Sequence, residues 1–397
     1  MRKYALPCFL ICLLLYSCQK STLQEIDLRR LVDLDLAVLH LPEQDFQPFG
    51  SMFLEQTEGV APQDVKQLVL FEDRVYVLYA HTLQSFDFGQ GTLDFQFAIG
   101  REDWEIVDFD IDNLHRRIYA IDGKRHRLLC LDLQGQVQFE MVLTLEYEYC
   151  HLRVIDPEYL LLTVNSMPVA VTQIVNLPQK SLRTLEHPVK KSFTLNAEQV
   201  QSLKEVAPLY FFGRSREGVL AKYIFNDTIF RYTAQGKEPV FYIAMNSRKL
   251  QWKEGPDLFK DNNRAAMYGL WKIWDDQWFC KVRQTRRGLD KFRLVLCDTL
   301  ITPYEKTHLD PPETRVIWEN THIYQYFWIY GTTDLFVDED MRMFFTVVAY
   351  DPKRKTSWGE GEFMKLPDNI VNHPNKKELI LCYYKLKDGA ITHKKTF

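Results

Sequence analysis

The chain has 397 residues, 46% of them hydrophobic and 14% aromatic, which supplies one large or two ordinary packed domains and excludes a disordered or fibrous chain. A formal net charge of −4 and an ordinary 26% charged fraction give no global field for holding a polyanion, which argues against a nucleic-acid partner. Arg2 and Lys3 precede an apolar run from Ala5 to Tyr16 that has the length of a signal-peptide core and is too short to span a bilayer, so residues 1–17 read as an export signal.

The run ends in Leu15-Tyr16-Ser17-Cys18, which resembles the lipobox of bacterial lipoproteins: an aliphatic residue, a tolerant position, a small residue, then the cysteine that is acylated. The resemblance implies lipidation of Cys18 and a protein that sits on a membrane without spanning it, since each buried methylene contributes about 0.8 kcal/mol and more than one acyl chain makes attachment effectively permanent. Residues 18–30 are then a lipid-anchored tether and 31–397 the folded domain. Loss of Arg2 and Lys3 with the signal leaves the mature chain at −6. Gln19, Lys20, Ser21 and Thr22 lack the acidic run that resembles a surface-export tag, so the expected location is the cell envelope, at the periplasmic face of the outer membrane in preference to the surface. Beyond the leader, Cys130, Cys150, Cys280, Cys297 and Cys382 lie in apolar, strand-like text with no C-x-x-C spacing, and they read as buried free thiols. Cys280 and Cys297 are the pair that neighbouring strands could bridge in an oxidising compartment.

From residue 65 the text breaks into runs of five to eight Val, Ile, Leu, Tyr and Phe separated by Asp, Asn and Gly clusters, which is strand punctuation. QLVLFE, RVYVLYA, LQSFDFGQG and TLDFQFAIG form one four-strand unit; residues 107–112, 116–122, 127–135 and 136–142 form the next. Arg74-Val75-Tyr76 aligns with Arg117-Ile118-Tyr119 at a spacing of 43. A similar unit recurs in YFFG, GVLAKYIFND, TIFRYTAQG and EPVFYIAM, with Gly236 standing where Gly135 stands, and further units start near Cys150, Met267 and Tyr324. A period in the forties with four strands per unit predicts an all-β, six-bladed β-propeller of four-stranded antiparallel blades. The 26 Phe, 20 Tyr and 8 Trp suit the wedge between diverging blades. Bare sheet edges are avoided if the termini meet, so residues 32–41 (VDLDLAVLHL) and 378–387 (ELILCYYKLK) are expected as N- and C-terminal strands of one closing blade.

Gly100-Arg101-Glu102-Asp103-Trp104-Glu105 running into residues 106–112, then Asn226-Asp227-Thr228-Ile229-Phe230-Arg231, and the C-terminal residues 379–387, resemble bacterial lipoproteins of the 6-bladed β-propeller, NHL-like family. The resemblance implies a fold and a location; it brings no reaction and no catalytic residues. Residues 246–375, with longer insertions and Trp271, Trp274 and Trp278, depart from the pattern.

No P-loop, nucleophile elbow, H-E-x-x-H or dinucleotide fingerprint is present, and no catalytic residue or cofactor is assigned. Asp108, Asp110 and Asp112 alternate along one strand and so share a face; lacking the glycine and distant Glu of a calcium loop, they read as a polar or turn-bonding row, and no metal site is assigned. In a four-stranded meander the second-to-third turn and the link to the next unit share one rim. That rim collects His81, residues 100–105, Lys124, Arg125, His126, the 165–168 turn, Asn226-Asp227, the 246–266 loop with Lys249, Trp252 and Lys253, and Arg283, Arg286 and Arg287. Arg101, Trp104, Arg125, His126, Trp252, Arg286 and Arg287 are the binding candidates: a basic, aromatic mouth suited to a sugar-like or anionic ligand or to an envelope protein partner. The expected function is a non-catalytic binding or scaffold propeller. The alternative is a metal-dependent hydrolase or lyase of the lactonase or NHL-lyase type, with Asp108 or Asp110 acting at the central channel.

Overall fold

The computed structural model describes residues 24–27, 39–40, 46–97, 104–164, 170–187, 210–215, 218–223, 227–244, 264–274, 277–286, 289–298, 314–319, 329–332, 336–338, 343–350 and 377–386. Three strands come first: β1 (Gln24–Asp27), β2 (Leu39–His40) and β3 (Phe46–Phe53). A first sheet follows from β4 (Val65–Phe71), β5 (Arg74–Tyr79), β6 (Thr82–Asp87) and β7 (Leu93–Phe97). The second is β8 (Ile106–Asp112), β9 (Arg117–Asp122), β10 (Arg127–Asp132) and β11 (Val137–Val142); the third is β12 (Tyr149–Asp156), β13 (Tyr159–Val164), β14 (Ala170–Asn176) and β15 (Ser181–His187). The fourth comprises β16 (Tyr210–Ser215), β17 (Gly218–Tyr223), β18 (Thr228–Thr233) and β19 (Gly236–Ala244), and the fifth β20 (Arg264–Trp274), β21 (Gln277–Arg286), β22 (Leu289–Asp298) and β23 (Thr314–Glu319). In the sixth, β24 (Ile329–Thr332) and β25 (Phe336–Asp338) share the partner β26 (Met343–Tyr350), and β27 (Leu379–Leu386) lies between β26 and β3.

The residue pattern explains the layering. Strands in the middle of a sheet, such as Arg74–Tyr79 and Arg117–Asp122, are buried almost throughout, because both faces pack on neighbouring sheets, and they read as continuous apolar runs. Fourth strands such as Val137–Val142 are largely exposed and correspondingly polar. The 43-residue alignment is structural: Tyr76 and Tyr119 are both fully buried on second strands, and each meets a fourth-strand ring, Phe95 at 6.1 Å and Phe139 at 6.4 Å. Burial of each such ring contributes about 1.5–3 kcal/mol. Gly91 and Gly135 occupy the same third-to-fourth turn, with φ of 74° and 78°.

Apolar clusters join successive sheets. Val75, Val77 and Phe86 pack with Phe345, Val347 and Leu381 between the first and sixth sheets, where Phe88 also meets Tyr383 at 5.0 Å. Tyr76, Leu78 and Leu83 pack with Phe109, Ile118 and Leu131 between the first and second, Leu128 and Cys130 with Leu160 and Leu162 between the second and third, and Leu161 and Ile174 with Val219 and Tyr232 between the third and fourth. β16 contacts β20, which extends the series to the fifth sheet.

The N-terminal segment differs from the sequence expectation. The strand that pairs with β27 is Phe46–Phe53, not 32–41. Pro48 and Gly50 hide it in the sequence, but it is an edge strand with a bulge between Gly50 and Pro48, where proline is tolerated, and the Tyr383 ring lies over Gly50 so closely that a Cβ there would stand 2.3 Å from its hydroxyl oxygen. Leu54 N donates to Leu379 O (2.9 Å) and extends this union of chain ends. Of residues 32–41, Leu39 and His40 form a short strand parallel to Arg315 and Val316 of β23, and the others lie outside the described residues. Within the stretch read as a tether, Gln24–Asp27 run parallel to Phe241–Ala244 of β19. Cys130, Cys150 and Cys382 are free thiols, and burial pushes them up, to about 11 for Cys130 and about 12 for the other two. In β21 and β22, Cys280 stands opposite Val295 and Cys297 opposite Trp278.

Candidate functional site

The second-to-third turns are tied to the chain passing toward the next sheet, which gathers both at one rim. His81 O accepts from Ile106 N (3.3 Å), His126 O from Leu143 N (2.8 Å) and Asp227 O from Ile243 N (2.7 Å). His81 and His126 hold left-handed backbone, φ 69° and 50°, as tight turns demand.

At the second sheet this rim is built on Asp122, fully buried at the end of β9. Its Oδ1 accepts from Glu105 N (3.2 Å) and Arg125 N (3.3 Å), and Gly123 N donates to Glu105 O (2.8 Å). Gly123 is required by closeness: a Cβ there would lie 2.5 Å from a Val107 methyl. The link and the turn are thereby clamped together, and their side chains meet. The Arg125 guanidinium lies 4.6 Å from the centroid of the Trp104 ring, which stands edge-on to Phe97 at 5.3 Å. Among the described residues, Asp122 Oδ2 and His126 Nδ1 are buried polar atoms with no hydrogen-bond partner.

A second group lies on the first strands. Each of β4, β8 and β12 has a bulge near its start, at Lys66, Val107 and Cys150. The residue after the bulge reaches the first strand of a neighbouring sheet. Gln67 Nε2 donates to Phe109 O at 2.7 Å, and Asp108 Oδ2 accepts from Leu152 N at 2.7 Å; Asp110 Oδ2 accepts from Val154 N at 2.8 Å. Around this seam the charges are paired. Asp108 takes Arg153 Nη1 at 2.9 Å and has His151 Nδ1 at 3.6 Å. Burial opposes its charge, but Arg153, His151 and the Leu152 N–H outweigh burial and hold the carboxyl below its ordinary value. Lys66 Nζ stands 3.4 Å from His81 Nδ1, which is 3.6 Å from Glu105. Burial lowers the Lys66 pKa, while Glu105 and Asp108 pull it back. Asp112 closes its own turn, accepting from Leu114 N and His115 N. The aspartate row is thus occupied with strands and turns, and among the described residues no group of three or more His, Cys, Asp or Glu is placed to hold a metal.

Of the sequence candidates, Trp104, Arg125 and His126 come together on this clamp. Arg101, Trp252, Arg287 and Cys18 lie outside the described residues, and Arg286 ends β21. Lys66, His151 and Arg153 were not anticipated; aligning Lys66-Gln67 with Val107-Asp108 and Cys150-His151 is the signal that marks the first two. Exposed Glu146 and Glu148 occupy the link after β11. With Glu105, they put carboxylates beside Arg125 and His126 in the described part of the rim.

No protein-family model matches the chain, and no curated protein sequence matches it. Its structural neighbours are β-propeller proteins. An exported protein of Bacteroides fragilis superposes with a TM-score of 0.60 at 12% identity, covering 92% of this chain and 100% of its own. A DUF4221 member of Bacteroides vulgatus has a TM-score of 0.49 at 8% identity, covering 86% and 98%, and virginiamycin B lyase of Staphylococcus aureus 0.45 at 8%, covering 85% and 99%. The likeness to the exported protein shows the fold: all-β, with successive four-stranded antiparallel sheets arranged as in a propeller.

Proposed function

We propose that the chain is a non-catalytic binding propeller of the bacterial cell envelope. Six four-stranded blades close into a ring between the fifth and sixth sheets. Acylated Cys18 holds the domain on the periplasmic face of the outer membrane. The rim takes a sugar-like or anionic ligand, or an acidic surface of an envelope partner.

The Trp104–Arg125 pair carries this reading. An aromatic plate capped by a guanidinium, fixed from below by the buried Asp122, offers a stacking face and a bidentate donor on turns that cost little to order. The unpartnered Asp122 Oδ2 and His126 Nδ1 mark polar groups under the same turn that a bound molecule or water would satisfy.

The test is a glycan array that includes uronic-acid oligosaccharides, probed with the intact domain and with the double variant Trp104→Ala, Arg125→Ala. Binding lost in the variant supports the reading. Binding retained in the variant moves the ligand elsewhere on the surface. No glycan retained by either protein, with no envelope protein crosslinked to Arg125-side turns in cells, refutes it.

A further inference from the structure

The N-terminal segment does not leave the domain directly. β1 adds to the outer edge of the fourth sheet, Glu25 opposite Tyr242 and Asp27 opposite Ala244, and β2 adds to the outer edge of the fifth, both parallel to the strand they join. Parallel addition of this kind is held by main-chain hydrogen bonds and needs no side-chain pocket. Cys18 precedes Gln24 by six residues, and a fully extended chain of that length reaches about 20 Å. A cysteine fixed at the membrane surface therefore cannot let the start of β1 stand farther off than that, and β19 lies one strand spacing, about 4.8 Å, beyond it. Tyr242, 40% exposed on β19, is an exposed ring at this edge, of the kind that settles at the headgroup level.

We infer that the outer edge of the fourth sheet, around β19 and its added strand β1, is the flank that faces the lipid surface, so that the propeller stands on its circumference and its rim opens sideways, parallel to the membrane. The inference rests on acylation of Cys18 as read above. Its occupant is the lipid headgroup layer, because the anchor and the strand that it pulls on are joined by so short a span.

The experiment uses the full acylated chain reconstituted in phosphatidylethanolamine–phosphatidylglycerol vesicles containing a rhodamine-headgroup lipid, with a fluorescent unnatural amino acid at Tyr242 or at Val142 on the outer strand of the second sheet. Energy transfer is expected to be severalfold greater from 242 than from 142. Ile26→Pro, which breaks β1 but leaves Cys18 intact, is expected to bring the two closer together while the protein still floats with vesicles. Equal transfer from both positions in floating, acylated protein overturns the orientation alone. An N-terminal peptide that carries no acyl chain by mass spectrometry, with protein that fails to float, overturns the anchor and the orientation together.

Discussion

Replacing Asp108 by Ala removes an acceptor that joins the second and third sheets. The side chain is almost wholly buried and takes the Leu152 N–H at 2.7 Å and the Arg153 guanidinium at 2.9 Å. Truncation leaves the Leu152 N–H facing a gap, and a buried donor without a partner costs about 1–3 kcal/mol. It also strips a partly buried cation of its counter-charge, but Arg153 is 19% exposed and water recovers much of that loss. Together these give about 3 kcal/mol of local opening, or roughly a hundredfold faster exchange. Hydrogen exchange by mass spectrometry on peptides spanning 149–156 reads this directly. Asp108→Asn keeps an oxygen acceptor without the charge and should show a smaller effect. The wild-type carboxyl is held below 3.8, so its contribution is fully present above about pH 4 and is lost as pH falls through the lower folded value; the Asn variant lacks that acid-dependent loss. Unchanged exchange over 149–156 in Asp108→Ala, or identical acid sensitivity in Asp108→Asn and wild type, refutes this role for Asp108 in joining the two sheets.

Lys222 is buried on β17, and desolvation lowers its pKa to about 7 against the opposing pull of Asp227. The unfolded chain binds the extra proton between that value and 10.5, so stability should rise with pH across this window; Lys222→Met should flatten the rise and melt a few degrees higher at pH 6.5, as thermal denaturation at pH 6.5 and 9 would show. Gly91→Ala should destabilise by about 2 kcal/mol or more, because φ is 74° and a Cβ would stand 1.8 Å from Phe53 O; Gly59→Ala, at φ 86° in open space, should cost about 1 kcal/mol, and a smaller melting shift for the Gly91 change would contradict the assignment. Gln67→Leu should lose both bonds to the Phe109 backbone and accelerate exchange over 106–112, leaving 149–156 as in wild type.

The units with regular spacing were legible because each carries its own punctuation: Arg74 and Arg117 open second strands, and Gly91 and Gly135 turn the chain into the fourth. The N-terminal strands were not. Gln24–Asp27 and Leu39–His40 are four and two residues long, and they join edges through backbone alone, so no alternation announces them. Residues 32–41 had the better strand pattern but Phe46–Phe53 had the partner, since Gly50 beneath Tyr383 is a fact about two strands more than 300 residues apart. Meander topology sets the turn after β9 and the link before β8 at one end of the second sheet, where Trp104 and Arg125 meet. Counting arginines leaves out carboxylates such as Glu105, which the link before β8 brings beside His81.

The seam and the rim divide the polar residues between two tasks. Gln67, Asp108 and Asp110 point at main-chain groups of a neighbouring first strand, so any side chain taken from them is paid for in the joint between sheets. Trp104 and Arg125 are held by the Arg125 and Glu105 main-chain amides on Asp122, which leaves their side chains to meet one another at the turn. Substitution at the turn can therefore alter the side chains it presents without loosening the sheets, whereas substitution at the seam cannot. A fold built this way can diversify its rim while its inner strands remain constrained. The separation is measurable: Trp104→Ala should leave exchange over 106–112 and 149–156 at wild-type rates while altering retention on an array, and Asp108→Ala should do the reverse. If both variants lost binding and sheet protection together, rim and seam would be one cooperative unit and the turn would not be an independent site.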